Sequence, residues 1–201
     1  IFHNWHTETK GDRQSWSGDE FLHYANHGAD LPKVSGKLPP NRALTYPRKY
    51  GDAPLSERRD VPDEAYFDGR VAAEAVRVLQ EVRGQPFFLA VGFWKPHAPF
   101  NPPAKYWDQQ TGKLPPLDGR VPEGAPDLAF HDSREIRGIP PQQVEFTSAQ
   151  VEEMRHGYLA AIHFVDTQVG KVLKALDQQG LTDKTMIVFF GDHGYHLGER
   201  G

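Results

Sequence analysis

The sequence predicts an α/β fold in which a parallel or mostly parallel sheet carries helices on both faces. Two apolar runs and two amphipathic stripes predict it. Pro86-Phe87-Phe88-Leu89-Ala90-Val91 and Met186-Ile187-Val188-Phe189-Phe190 are continuous, hold aromatic and β-branched residues, and are bounded by glycines and polar residues. Such runs read as strands buried on both faces. Ahead of each lies a segment whose apolar residues fall three or four apart, the period of a helix. Helix and strand recurring through connections argue for parallel pairing. The alternation is too irregular for a barrel, and there are no internal repeats.

Residues 1–60 show little periodicity. Trp5, Trp16, Phe21 and Tyr24 are scattered among His3, His6, His23 and His27, and prolines recur from Pro32 to Pro54. This predicts an irregular excursion with one short helix, Gly18 to Asn26, its aromatics serving as packing anchors. From Pro62 the pattern changes. Tyr66, Val71, Ala75, Val78, Leu79 and Val82 form an amphipathic stripe, with Asp63 and Glu64 in the first turn, where negative charge suits the helix dipole. Gly84 is the expected stop. After the first apolar run, residues 101–146 are proline-rich and loop-like. A loop of that length in a compact domain is usually functional, and His131, Asp132, Arg134 and Arg137 lie in it.

Thr147-x-x-Gln150 matches a capping box. Val151, Met154, Tyr158, Ile162, Val165, Val169, Val172 and Leu176 then predict one helix from Val151 to about Gln179, ended by Gly180. Asp166 interrupts its apolar face and is expected to have a buried partner, because an unpaired buried carboxylate is costly.

Composition removes several function classes. The net charge is −4 with mixed signs, so nothing draws the chain to nucleic acid. No apolar run approaches the ~20 residues of a membrane span. With no cysteine, disulfides and thiolate metal sites within these residues are excluded. The 201 residues, 38% of them hydrophobic, can bury a core. The chain opens at Ile1-Phe2-His3 without an initiator Met and stops just after a glycine-rich motif, which reads as a piece of a longer protein.

Ionisable residues follow both apolar runs. After the second come Gly191-Asp192-His193-Gly194-Tyr195-His196-Leu197-Gly198-Glu199; after the first come Lys95-Pro96-His97. In open α/β sheets, ligands bind beyond the carboxyl ends of the strands. Asp192 and His97, 95 positions apart, are therefore expected to converge. Asp192 is a hard oxygen donor suited to Ca²⁺, while the imidazole of His193 better suits a transition metal. Prolines 96 and 99 stiffen the loop that carries Lys95 and His97.

Together, Pro86–Gly92 with Lys95-Pro96-His97, Asp166-Thr167-Gln168-Val169-Gly170, Gly191-Asp192-His193-Gly194 and Leu197-Gly198-Glu199 resemble the type I sulfatases, in the iduronate-2-sulfatase-like branch. Phe2-His3 resembles the end of that family's Gly-Lys-x-Phe-His motif. The resemblance implies an alkaline-phosphatase-like α/β fold, residues 1–201 being part of the N-terminal catalytic domain with its start and end missing. It implies sulfate-ester hydrolysis through a formylglycine made from Cys or Ser, with bound Ca²⁺. By motif, Asp192 and His193 match one pair of metal ligands. His97 matches the histidine on the sulfate and leaving-group side, and His3 the one that helps the hydrated aldehyde expel sulfate. Lys95 matches a residue beside the sulfate. The substrate implied is a sulfated carbohydrate or other sulfate ester, and the compartment periplasmic, secreted or lysosomal.

The family's first Asp-Asp metal pair, its Cys/Ser-x-Pro-x-Arg nucleophile motif, the lysine of its Gly-Lys-x-Phe-His motif and a later lysine expected a few residues past Gly201 fall outside these residues. The chain holds roughly half a site, so the remainder of the same protein is its first expected partner, and the chain alone is expected to be inactive. Two alternatives stand beside the sulfatase: a phosphomonoesterase or phosphodiesterase of the same superfold, since fold does not fix function, and a non-catalytic relic that binds sulfated glycans.

Overall fold

The computed structural model describes residues 14–18, 21, 56–110, 112, 114–126 and 146–199. The expected helix Gly18–Asn26, apart from Gly18 and Phe21, and the candidates His3, His131, Asp132, Arg134 and Arg137 lie outside them. Among the described residues there are three α-helices: α1 (Phe67–Val82), α2 (Ala104–Asp108) and α3 (Ser148–Gln178). Short 3₁₀ turns at Asp63–Ala65 and Thr182–Lys184 precede α1 and follow α3. Among the described residues no helix is long and apolar enough to cross a membrane.

Local chemistry accounts for the ends of α3. The Thr147 amide donates to Gln150 Oε1 at 2.9 Å and the Gln150 amide donates to Thr147 Oγ1 at 3.3 Å, a reciprocal capping box that starts the helix at Ser148. At the other end Gly180 takes φ +66°, a conformation that favours glycine. Its amide donates to the Asp177 carbonyl at 2.8 Å, and that of Leu181 to the Leu176 carbonyl at 3.1 Å. Leu181 also packs against the cluster that contains Leu176. Both bonds and the apolar contact are those of a Schellman stop.

The contacts gather into two compact units. One contains Val61–Trp94 and Thr167–Thr185. Its core is Leu79 of α1 with Ala175 and Leu176 of α3, flanked by Val76, Phe87, Leu89, Val172 and Leu181. Asp63, expected only as a dipole partner, is buried. It accepts bonds from Gln168 Nε2 at 3.2 Å and Lys171 Nζ at 2.8 Å. The cost of burying that carboxylate is offset by these partners. Asp68, also buried, accepts the Trp94 amide at 2.7 Å, and Trp94 stacks on Phe67, so α1 fixes the end of the first apolar run.

The second unit contains Lys95–Asp166, Met186–Gly201 and the segment ending at Asp60. Its core is Ala98, Phe100, Met154 and Leu197, flanked by Phe146, Val151, Tyr158 and Tyr195. Residues 56–59 run parallel to 100–103 through two isolated bridges, with the Glu57 amide donating to the Phe100 carbonyl at 3.0 Å. Phe164 of α3 is fully buried against Tyr106 of α2. The stretch expected to be wholly loop-like, 101–146, thus contains a short helix.

Three expectations need correction. Neither apolar run pairs with another strand among the described residues. Met186–Phe190, expected to be buried on both faces, is 52–90% exposed. In Pro86–Val91, Phe87 and Leu89 are half-buried and Phe88 is 81% exposed. An apolar run reports what a segment can bury, not whether a neighbouring strand is at hand to complete its backbone hydrogen bonds. Asp166 is exposed rather than buried, and Ile162 only half-buried. The buried face of α3 runs instead through Met154, Gly157, Ala160, Ala161, Phe164, Gln168, Ala175 and Leu176. Val165 and Val169 flank it, half-buried.

Gly157 lets this face approach its neighbours. A Cβ there would lie 2.8 Å from Phe100 Cβ and 2.8 Å from Trp107 Cη2, whereas one at Gly170 would meet nothing within 4 Å. In an exposed helix interior Gly→Ala is stabilising by about 0.5–1 kcal/mol. Gly170→Ala should show that gain in urea denaturation. Gly157→Ala should reverse the sign, losing about 1–3 kcal/mol to overpacking. Equal gains at both positions would show that the contact at Gly157 is not tight.

Candidate active site

Two short segments of the second unit meet around Tyr195. The ring centroids of His97 and His193 are 6.4 Å apart, and those of Tyr195 and the two imidazoles are 6.4 Å and 6.0 Å apart, all in edge-on arrangements. Phe100 and Tyr158 pack edge-on against the same tyrosine at 5.8 Å and 6.0 Å. Below them lies the buried core of Ala98, Phe100, Met154 and Leu197, so the cluster stands on a packed base.

The loop 95–99 is held by its own polar groups. Lys95 Nζ donates to the carbonyl of His97 at 3.0 Å and to that of Pro99. The Ala98 amide donates to the Tyr195 hydroxyl at 3.3 Å. His97 Nδ1 lies 2.7 Å from the Ala98 carbonyl. A carbonyl only accepts, so Nδ1 carries a proton and proton exchange falls to Nε2. The carbonyls of His97, Ala98 and Pro99 and the amide of Ala98 thereby find partners without an adjoining strand. Sequence reasoning gave Lys95 to the substrate; here its ammonium is turned into the loop that displays His97.

The segment after the second apolar run is organised in a similar way. The Asp192 carboxylate accepts the His193 amide at 3.1 Å, and His193 Nδ1 lies 3.3 Å from the Gly194 carbonyl. The second contact again places the proton on Nδ1 and the lone pair on Nε2, the arrangement expected of a metal-binding histidine whose other nitrogen bonds a backbone carbonyl. Both residues are exposed. Leu197 then anchors the segment in the core, its amide donating to Glu199 Oε2 at 2.6 Å, with Arg155 3.5 Å from Glu199.

Among the described residues no group of three or more His, Asp or Glu could hold a metal. Asp192 and His193 supply one oxygen and one nitrogen donor side by side. That set fits two ligands of a divalent-metal site and falls short of a whole one.

The sequence profile of the sulfatase family matches residues 1–201. The chain belongs to the sulfatase family. This sulfatase-family chain is 36% identical over 163 residues to iduronate 2-sulfatase of Homo sapiens, an alignment covering 71% of this chain and 28% of the human one. Against the Mus musculus iduronate 2-sulfatase the identity is also 36%, over 159 residues, with the same coverage. Choline-sulfatase of Rhizobium meliloti (strain 1021) is 30% identical over 154 residues, covering 75% of this chain and 30% of that protein. The chain thus spans less than a third of the length of these curated relatives. Family membership implies the α/β fold read from the apolar pattern, and the likeness to the iduronate 2-sulfatases agrees with the branch read from the motifs.

Tyr195 is the residue of this cluster to which sequence reasoning gave no role. Its only signal was its place inside the glycine-rich motif, two residues after His193.

Proposed function

We propose that the protein to which this chain belongs hydrolyses sulfate esters, removing sulfate from a sugar or glycan through a formylglycine and one divalent metal, Ca²⁺ by family. The observation that carries this reading is the approach of His97 and His193 to 6.4 Å across 96 positions of a sulfatase-family chain.

A sulfate monoester is a compact anion whose cleavage needs positive charge around its oxygens and a proton for the departing alkoxide. His97 offers the proton at Nε2 while the Ala98 carbonyl holds Nδ1–H and steadies the imidazolium. Lys95 keeps its positive charge within the same loop. Asp192 and His193 Nε2 would hold the metal, and residues outside those described would complete its ligands. When bound there, a divalent metal would supply Lewis acidity, making a hydroxyl ligand more acidic. His3 is the second histidine of the reaction by motif alone.

The same reading includes the sheet. Pro86–Val91 and Met186–Phe190 are strands whose neighbours lie outside the described residues, in a mostly parallel sheet with helices on both faces.

The test is turnover by the complete protein, with nitrophenyl sulfate, a sugar sulfate, and the matching phosphate mono- and diesters offered in parallel. Sulfate-ester hydrolysis at least 10-fold above phosphate-ester hydrolysis in kcat/KM, about 1.4 kcal/mol of discrimination, is expected. The opposite ranking establishes the phosphatase reading, and tight sulfated-glycan binding without turnover establishes the binding relic.

A further inference from the structure

We propose that Tyr195 is the positioning residue of this site, fixing where His97 stands relative to His193 through its hydroxyl and its ring. The proposal rests on the sulfatase reading for its kinetic consequence but not for its structural one.

Three observations carry it. The Tyr195 hydroxyl accepts the Ala98 amide at 3.3 Å, and Ala98 is the residue whose carbonyl holds His97 Nδ1 at 2.7 Å. One residue, Ala98, thus lies between the tyrosine hydroxyl and the imidazole. The Tyr195 ring stands edge-on to both imidazoles, with interplanar angles of 85° and 75°. A ring that touches two side chains from separate segments sets the gap between them. Finally, the ring is itself held: Phe100 and Tyr158 meet it edge-on, and it packs on the core of Ala98, Phe100, Met154 and Leu197. Because packed interiors relax little, the hydroxyl and ring edge are presented at a fixed place. Lys95 closes the 95–99 loop upon itself, and the Ala98–Tyr195 bond joins that loop to the segment that carries Asp192 and His193.

Tyr195→Phe in the complete protein separates this role from a merely structural one, because the ring stays and the hydroxyl goes. A lost neutral hydrogen bond is worth enough to slow kcat on a sugar sulfate by about five- to tenfold. KM and Tm should remain close to the parent values. Since Tyr195 acts through the acid His97, the loss should be smaller on nitrophenyl sulfate and should vanish in a His97→Ala background, where no acid is left to position. An equal loss on both substrates, or one that multiplies fully with that of His97→Ala, overturns the proposal.

Amide exchange supplies a readout that does not need turnover. The Ala98 amide should exchange about five- to tenfold faster in Tyr195→Phe, while amides of α1 keep their rates. Unchanged exchange at Ala98 overturns the positioning role even if activity falls. Should the parent protein turn over no sulfate ester, the sulfatase reading fails, and the Ala98 amide still decides the role of Tyr195.

Discussion

Replacing His97 with alanine in the complete protein is expected to lower kcat on a sugar sulfate by about 10²–10⁴-fold, the usual worth of a positioned acid or base. The loss should shrink on nitrophenyl sulfate, whose leaving group is acidic enough to depart with little proton assistance. The proposed acid role is supported by the geometry of the ring. Its Nδ1 is committed to the Ala98 carbonyl at 2.7 Å, so the transferable proton sits on Nε2. Asp192→Ala gives the contrast. On the proposed reading it removes a metal donor that serves every substrate alike, so its loss should not depend on leaving-group acidity. It should also weaken divalent-metal binding, read by calorimetry, by more than the 10–100-fold typical of losing an outer-shell partner. If His97→Ala costs the same on both substrates, His97 binds sulfate and donates no proton.

Helices α1 and α3 were legible because their signals are local, whereas α2 lay hidden in a proline-rich stretch. Thr147 and Gln150 mark one end of α3 and Gly180 the other, and both ends form through bonds within a few residues. The buried face of α3 was less legible. A stripe of large apolar residues pointed to Ile162 and put Asp166 inside. The face instead uses Gly157, Ala160 and Ala161, whose small size permits close approach and which a search for bulky side chains passes over. Gln168, fully buried, is polar and is satisfied by Asp63 from 105 positions away, a pairing that periodicity does not encode. At the site, Asp192, His193, His97 and Lys95 stood out because ionisable residues followed apolar runs. What the motif does not encode is where Lys95 spends its hydrogen bonds, or that Tyr195 lies against both imidazoles. Both depend on backbone carbonyls and ring edges brought together by folding.

Met186–Phe190 should be among the best protected segments of the complete protein. Five consecutive apolar side chains stand 52–90% exposed in this chain. Fully burying each is worth about 1.5–3 kcal/mol. Allowing for the part already covered, the run holds on the order of 5–10 kcal/mol of unrealised burial, comparable with the whole stability of a typical domain. A strand within a sheet would recover it and would also supply partners for backbone groups that have no ladder among the described residues. Amides 186–190 of the complete protein are therefore expected to exchange at least about 10³-fold more slowly than in an unstructured peptide. Val188→Asp should then cost several kcal/mol, because it buries a carboxylate with no partner. Ala73→Glu, on the exposed side of α1, should stay within about 0.5 kcal/mol of the parent. Rapid exchange across 186–190, or a Val188→Asp protein as stable as Ala73→Glu, would show that the run stays on the surface and that the sheet does not pass through it.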